Sequence, residues 1–454
     1  MNLKISRSLY FALQFVRGEP VKSDFKDLMM SANHDLDELK EMQARRLLKL
    51  LRYSIENVPY YESKFQRHAG LIAKASTWKE VAELMHELPA TTKADYFTHR
   101  DELESRMIRR IRTTPNITSG SSGHPVYFKC DNLSWAYRHA SIFRTMAIHG
   151  VEIGEPYAYF FGLHWANQLR LKVRLKDFLF NRVRVSAFEI NDSTFDRQYR
   201  ALVSHGPTHW MGYPSAIYEF CVLAKARNAS IEGLKAVFTT AEPLLDHQRE
   251  VIESVCRCRC VNIYGSVEGG IGAFEGVEGI MHQSMETSHL FIGEDNALYT
   301  TDLFLYANPF IKYQVGDTCE PVEKDLKTNL AHEQIGFVMG RSGKPIVLPN
   351  GVKINANLPS YIFKNLAREG IIRRYQFCQF DSRIILLVIP TNPLKPKEKM
   401  IIQENCRSAF GEVPLEIREV SEIPLSRNAK HSDYVVFKDE SEFHRLYKYA
   451  DGWS

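Results

Sequence analysis

Alternating strand, turn and helix signals over residues 208–265 predict an α/β fold with a largely parallel sheet, followed by a smaller α+β domain. Two further observations point the same way. The chain of 454 residues is longer than one ordinary hydrophobic core organises, and glycines punctuate a linker at Gly340-Arg341-Ser342-Gly343-Lys344. The expected division is a large domain over 1–340, with 1–90 as a helical lead-in, and a small domain over 341–454.

In the lead-in, Leu36, Leu39, Met42, Leu47, Leu50, Leu51, Ile55 and Val58 recur near the helical period until Pro59-Tyr60-Tyr61. Residues 112–117 and 126–128 read as strands flanking Thr118-Ser119-Gly120-Ser121-Ser122-Gly123-His124-Pro125. Two glycines there permit positive φ and close approach, and hydroxyls add donors beside the backbone N–H groups, as a phosphate-wrapping loop requires. The glycines stand too close for a Walker loop, and His124 occupies the place of a lysine. On these residues alone, a phosphate loop and a plain surface hairpin remain alternatives.

A helix over 134–149 follows, then a strand over 157–162 that delivers Gly162, Leu163, His164 and Trp165 to a loop. Thr208–Pro214 precedes a helix over 215–227, Ala236–Ala241 precedes one over 246–256, and Cys260–Gly265 repeats the strand-to-turn pattern. In parallel sheets ligands gather at the carboxyl ends of strands, which here carry Thr240, Glu242, Tyr264, Ser266 and Glu268. Extended segments are expected over 298–305 and 310–313, and Pro349-Asn350-Gly351 signals a hairpin.

Hydrophobic residues make up 44% and charged residues 25% of the chain, with a net charge of +4, which gives no footprint for nucleic acid. Basic clusters at Arg106, Arg109, Arg110 and Arg112 and at Arg170, Lys172, Arg174 and Lys176 read as solvated faces, because no aromatics interleave with them. Among the eight cysteines, Cys256, Cys258 and Cys260 would share one face of a strand, but with no second Cys/His cluster they read as reduced structural thiols. No apolar run approaches the ~20 residues that span a bilayer, and no secretory signal is evident. A cytoplasmic protein without membrane insertion is expected.

The 118–125 loop, Ala241-Glu242-Pro243, Tyr264-Gly265-Ser266-Val267-Glu268, Thr301-Asp302-Leu303, Ile311-Lys312-Tyr313-Gln314-Val315-Gly316-Asp317 and Gly340-Arg341 occur in the order and spacing of an adenylate-forming enzyme. The whole chain resembles the phenylacetate-CoA ligase family, and within it the CapK-like branch, to which residues 51–61 and 212–215 are also similar. The resemblance implies a large AMP-binding domain and a small mobile C-terminal lid. It further implies activation of a small organic acid by ATP with Mg²⁺, then transfer to CoA, a carrier pantetheine or an amine. A nucleotide-binding protein without chemistry is the contrasting expectation, motivated by the missing loop lysine.

Residue by residue, the resemblance implies that Thr118, Ser119, Gly120, Ser121, Ser122 and Gly123 hold the β- and γ-phosphates. Ala241, Glu242, Pro243, Tyr264, Gly265 and Ser266 would form the adenine slot, Asp317 would accept the ribose hydroxyls, and Arg341 would complete the nucleotide site. Glu268 would hold Mg²⁺. Lys430 would be the catalytic lysine, with Arg427 its rival, and Lys344 the hinge. His164, Trp165, Gly212 and Tyr213, with Trp210 nearby, could line an acyl pocket or be core. Relatives often carry a cysteine before His282; it is absent here, so His282 is expected to be structural.

Overall fold

The computed structural model describes residues 3–117, 126–161, 170–294, 296–322, 326–341, 346–354, 362–363, 366, 369, 371–424 and 433–447. The chain folds into two compact units. One comprises Met1–Glu155, Phe178–Asn181 and Val261–Arg341, the other Pro156–Asp177, Arg182–Cys260 and Ser342–Ser454.

The first unit opens with α1 (Leu3–Val16), α2 (Val21–Ser31), α3 (Leu36–Asn57), α4 (Pro59–Lys64), α5 (Ala69–Lys74), α6 (Trp78–Glu87) and α7 (Lys93–Thr98). Reciprocal capping boxes start α3 (Asp35 with Glu38), α6 (Thr77 with Glu80) and α7 (Thr92 with Asp95), each satisfying backbone donors that no helical carbonyl can reach. The apolar stripe of α3 buries Leu47, Leu50 and Leu51 against Tyr61, Phe65, Phe310 and Tyr313, and Pro59 at the first position of α4 ends the register. Next, β1 (Thr113–Ile117) pairs antiparallel with β2 (Tyr127–Asp131), and α8 (Asn132–Ile148) follows directly.

The second unit holds β3 (Tyr157–Phe161), β4 (Arg182–Ser186), β5 (His209–Gly212) and β6 (Ala236–Thr240), all parallel in the order β4-β3-β5-β6. Between them in sequence run α9 (Arg170–Leu179, of which the residues to Asp177 belong to this unit), α10 (Phe195–His205) and α11 (Pro214–Ala226), and α12 (Asp246–Cys256) comes after β6. Right-handed βαβ crossovers demand helices on the faces of such a sheet. Phe160, Trp210, Val237, Ile217 and Phe220 form the resulting core.

Back in the first unit, β7 (Arg259–Ser266), β8 (Gly270–Glu275) and β9 (Met281–Gln283) turn antiparallel. A second antiparallel sheet orders β10 (Ser288–Ile292), β11 (Ala297–Asp302), β12 (Tyr313–Cys319) and β13 (Val338–Arg341) consecutively. The expected extended run at 310–313 is a strand only from Tyr313 on. Phe310 and Ile311 instead enter the core, 1% and 0% exposed.

The C-terminal part of the second unit begins with a hairpin of β14 (Ile346–Val347) and β15 (Lys353–Ile354), turning at Gly351 with φ +80° as Asn-Gly foretells. It continues with β16 (Ile372–Gln379), β17 (Ile384–Pro390), α13 (Pro396–Phe410), β18 (Leu415–Glu419), β19 (Tyr434–Val436) and α14 (Glu440–Leu446). The sheet order is β18-β17-β16-β19. Its central strand β17 is apolar on both faces because both are covered. Ile384, Leu386 and Val388 meet Ile402, Cys406 and Phe410 of α13, and Ile385, Leu387 and Ile389 meet Phe443 and Tyr447, the alternation a pleated strand imposes.

The three closely spaced cysteines do not share a strand face. Cys256 ends α12, Arg257 takes a left-handed φ of 54° that closes the helix on Glu253 O, and only Cys260 lies in β7. Helix propagation wins through residue 256, so the two-residue period fails there. Cys256 Sγ instead lies 3.7 Å from Cys221 Sγ of α11.

Candidate active site

In the first unit, Tyr264, Gly265, Ser266 and Glu268 belong to the β7–β8 hairpin, and Asp317 to β12. The Tyr264 hydroxyl donates to Asp317 Oδ2 at 2.8 Å. Burial, and next the Asp317 carboxylate, push the phenol well above its ordinary range, so at neutral pH it remains a donor. Gly316 precedes Asp317 with φ +86°, and a register shift between Asp317 and Thr318 bulges the strand there. Bulges re-aim side chains next to sites. Across the ladder, Asp317 stands opposite Arg341.

Glu268 lies in the turn between β7 and β8, half-buried, and not at a helix start. The turn is built without slack. Ser266 Oγ accepts from Gly269 N at 2.8 Å, a Cβ on Gly269 would stand 2.2 Å from Thr300 Cγ2, and one on Gly265 2.7 Å from Gly270 O. Gly270, at φ +73°, passes over Asp302, whose Oδ2 a Cβ would approach to 2.9 Å. These glycines therefore answer to close backbone approach.

Beneath the turn sits a buried pair that the sequence did not reveal. Arg138 of α8, 7% exposed, donates from Nη2 to Asp302 Oδ2 at 2.9 Å and from Nη1 to Val267 O at 2.8 Å. Ser134, one turn earlier, donates to Asp302 Oδ2 at 2.7 Å. Arg138 thus grips the carbonyl immediately before Glu268; burial works against its charge, but Cys130 and Asp302, and after them Glu268, hold its guanidinium above the usual range. The i,i+4 spacing of Ser134 and Arg138 was visible in the sequence; their pairing with Asp302, 168 and 164 residues away, was not.

Lys312, which precedes β12, points elsewhere. Its Nζ donates to Leu88 O at 2.8 Å and His86 O at 3.0 Å, so this cation holds the α6–α7 connection.

In the second unit, Gly212-Tyr213 and Ala241-Glu242-Pro243 leave the carboxyl ends of the neighbouring parallel strands β5 and β6. Ala241 is exposed and adopts φ +69°, unfavourable for a residue with a Cβ; such outliers concentrate at functional sites. Glu242 accepts from Ser215 N at 3.4 Å, at the start of α11, where a helix favours negative charge. Tyr213 is 7% exposed and meets Phe161 edge-on at 4.8 Å; burial, then Glu242, raises its phenol above the usual range. A Cβ on Gly212 would lie 2.2 Å from Phe160 O, and Trp210 is 1% exposed, so both positions serve packing.

Thr118, Ser119, Gly120, Ser121, Ser122, Gly123, His164, Trp165, Lys344, Arg427 and Lys430 lie outside the described residues. His282 is fully buried, with Nδ1 3.1 Å from His332 O. Nearby, Glu286 receives Arg144 at 2.5 Å and His332 at 2.9 Å. Burial pushes the Glu286 carboxyl up, but these two partners outweigh it and hold it well below its usual range.

No protein-family model matches the chain. It is similar to Protein CapK of Staphylococcus aureus, 23% identical over 392 residues that cover 83% of this chain and 84% of that protein. Among solved structures it is similar to 2-hydroxyisobutyryl-CoA ligase in the postadenylation state in complex with R3-HIB-AMP. The TM-score is 0.65 at 14% identity, with 89% of this chain and 90% of that one covered. The anthranilate CoA ligase AuaEII in complex with anthranoyl-AMP aligns with a TM-score of 0.50 at 12% identity over 71% of this chain and 66% of its own. The fold is thus that of adenylate-forming ligases, a mixed α/β architecture.

Proposed function

We propose that this chain, built on the adenylate-forming fold, activates a small organic carboxylic acid with ATP and passes the acyl group to a thiol, either CoA or a carrier pantetheine. The observation that carries the reading is the Tyr264–Asp317 hydrogen bond, which joins two sequence-distant motifs into one carboxylate-and-aromatic site. An ionised aspartate accepts both hydroxyls of a ribose, and Tyr264 offers a ring face for the base. Arg341, opposite Asp317 across the ladder, would stand by the ribose.

In the first step a carboxylate oxygen of the acid attacks the α-phosphorus of ATP, the bond to the bridging oxygen breaks, and pyrophosphate leaves. In the second, a thiolate attacks the acyl carbonyl and AMP departs with the electron pair of the cleaved C–O bond. Catalysis of in-line displacement rests on positioning and on charge at the non-bridging oxygens. Residues 118–123 would hold the β- and γ-phosphates by backbone and hydroxyl donors, and Lys430, on a mobile 341–454 lid hinged at Lys344, would reach the α-phosphate.

Glu268 suits Mg²⁺, which commonly takes one or two carboxylates and completes its shell with phosphates and water. Among the described residues no cluster of three or more His, Cys, Asp or Glu could hold an ion without the nucleotide. When bound, Mg²⁺ would spread the developing negative charge; the chain's own part is to fix the Glu268 turn through Arg138. An amine in place of the thiol would leave the first step unchanged. Incubation with Mg-ATP, a panel of acids and each acceptor tests the reading. Acid-dependent AMP release that continues with CoA supports it, and ATP binding without turnover on any acid overturns it.

A further inference from the structure

Helix α9 (Arg170–Leu179) reverses the pattern of an ordinary surface helix. Leu171, Leu175 and Phe178, spaced i, i+4 and i+7, are 81%, 59% and 63% exposed, so one stripe of the helix turns its largest apolar side chains to solvent. The sequence places cations at 170, 172, 174 and 176 of the same ten residues, against one acid, Asp177. That acid is already spent: Asp177 Oδ1 accepts from both Arg182 Nε and Arg184 Nε at 2.7 Å, which ties the helix to β4. The apolar stripe thus lies on a helix that also exposes Arg174 and Lys176 and whose sequence is rich in cations.

We infer that α9 is a docking surface for an anionic lipid bilayer, lying in the headgroup layer with Leu171, Leu175 and Phe178 dipped toward the acyl chains. Charge complementarity selects this occupant. An apolar stripe alone would suit a protein groove equally, but apolar side chains in a Lys/Arg-rich helix are the combination that binds the interface plane of acidic membranes. The helix is far too short to cross a bilayer, and no described helix is long and apolar enough to do so, so the attachment is peripheral. It goes beyond the sequence-level reading of this basic cluster as a solvated face. It is also independent of the proposed adenylation chemistry.

The test is sedimentation of the full chain with sucrose-loaded vesicles of phosphatidylcholine alone or with about 30 mol% phosphatidylglycerol. The wild type should pellet with the anionic vesicles and largely fail to with the neutral ones, and added salt should release it. Leu171→Glu/Leu175→Glu should abolish pelleting. Lys172→Gln/Arg174→Gln should weaken it about thirty-fold, at roughly five- to sixfold per cation. Melting temperature is the fold control, and it should stay at the wild-type value, since Leu171, Arg174 and Leu175 are exposed. Three results would overturn the inference: wild type remaining in the supernatant, both variants pelleting like wild type, or a wild-type dimer that Leu171→Glu/Leu175→Glu dissolves with no vesicle binding in either form.

Discussion

The Tyr264 hydroxyl and the Asp317 carboxylate meet at 2.8 Å although 53 residues separate them in the chain. The bond orients the acceptor oxygens of Asp317 and fixes the Tyr264 ring. If Asp317 receives a ribose, Asp317→Asn should raise the KM for ATP about 10- to 100-fold, the range for a hydrogen bond to a charged group. Tyr264→Phe keeps the ring and loses only the donor, and should cost about fivefold. Steady-state kinetics at varied ATP check both.

Arg138 is expected to act through the position of Glu268 rather than on the substrate. Arg138→Gln frees Val267 O and leaves Asp302 buried without its guanidinium. The apparent Mg²⁺ requirement should rise about 10- to 100-fold, as when outer partners of metal ligands are removed, while affinity for AMP without metal stays unchanged. Magnesium titration of activity, together with Mn²⁺ binding followed by electron paramagnetic resonance, separates this from general destabilisation.

His289 should make the fold acid-sensitive. Burial, and then Lys312 and His86, lower its imidazole to about 4, and its Nδ1 is buried with no partner. The unfolded chain takes up this proton near pH 6.5 and the native one only near 4, so stability falls as pH drops through that window. The raised carboxyls of Asp24 and Asp131, each pushed by burial to about 7, act in the opposite direction, which is why the comparison must be a difference. Relative to wild type, His289→Phe should gain on the order of 3 kcal/mol between pH 6.5 and 4, at about 1.4 kcal/mol per unit, measured by urea unfolding across pH.

Glu219 of α11 and Arg374 of β16 form an ion pair with side chains 4% and 12% exposed, beside the bond from Tyr218 Oη to Ile372 O at 3.2 Å. Removing one partner, as in Arg374→Met, should destabilise by about 3–5 kcal/mol, whereas Glu219→Leu/Arg374→Met should recover most of it. A double-mutant cycle in denaturant gives the coupling.

Periodicity alone located α3, the β5–α11 and β6–α12 units and the hairpin at Gly351, because amphipathic period and turn chemistry act locally. It misjudged Cys256–Cys260, where a helix runs on and a left-handed Arg257 breaks the two-residue alternation. Strand-end position marked Tyr264 and Glu268, and Asp302 stood in the Thr301-Asp302-Leu303 motif, but Arg138 and Ser134 carry no local signature, and tertiary pairing alone joins them to Asp302. Gly212 and Trp210 looked suited to ligand contact or packing, and backbone approach and burial assign packing constraints to both.

Acid-dependent exchange of labelled pyrophosphate into ATP tests the central claim most directly, because it registers reversible adenylate formation whatever the acceptor. The expected result is exchange with at least one acid of the panel, abolished without Mg²⁺ and lowered about 10²- to 10³-fold in Glu268→Ala and Lys430→Ala. Exchange that both variants retain in full would contradict the assigned roles, and no exchange by the wild type with any acid, despite tight ATP binding, would contradict adenylation itself.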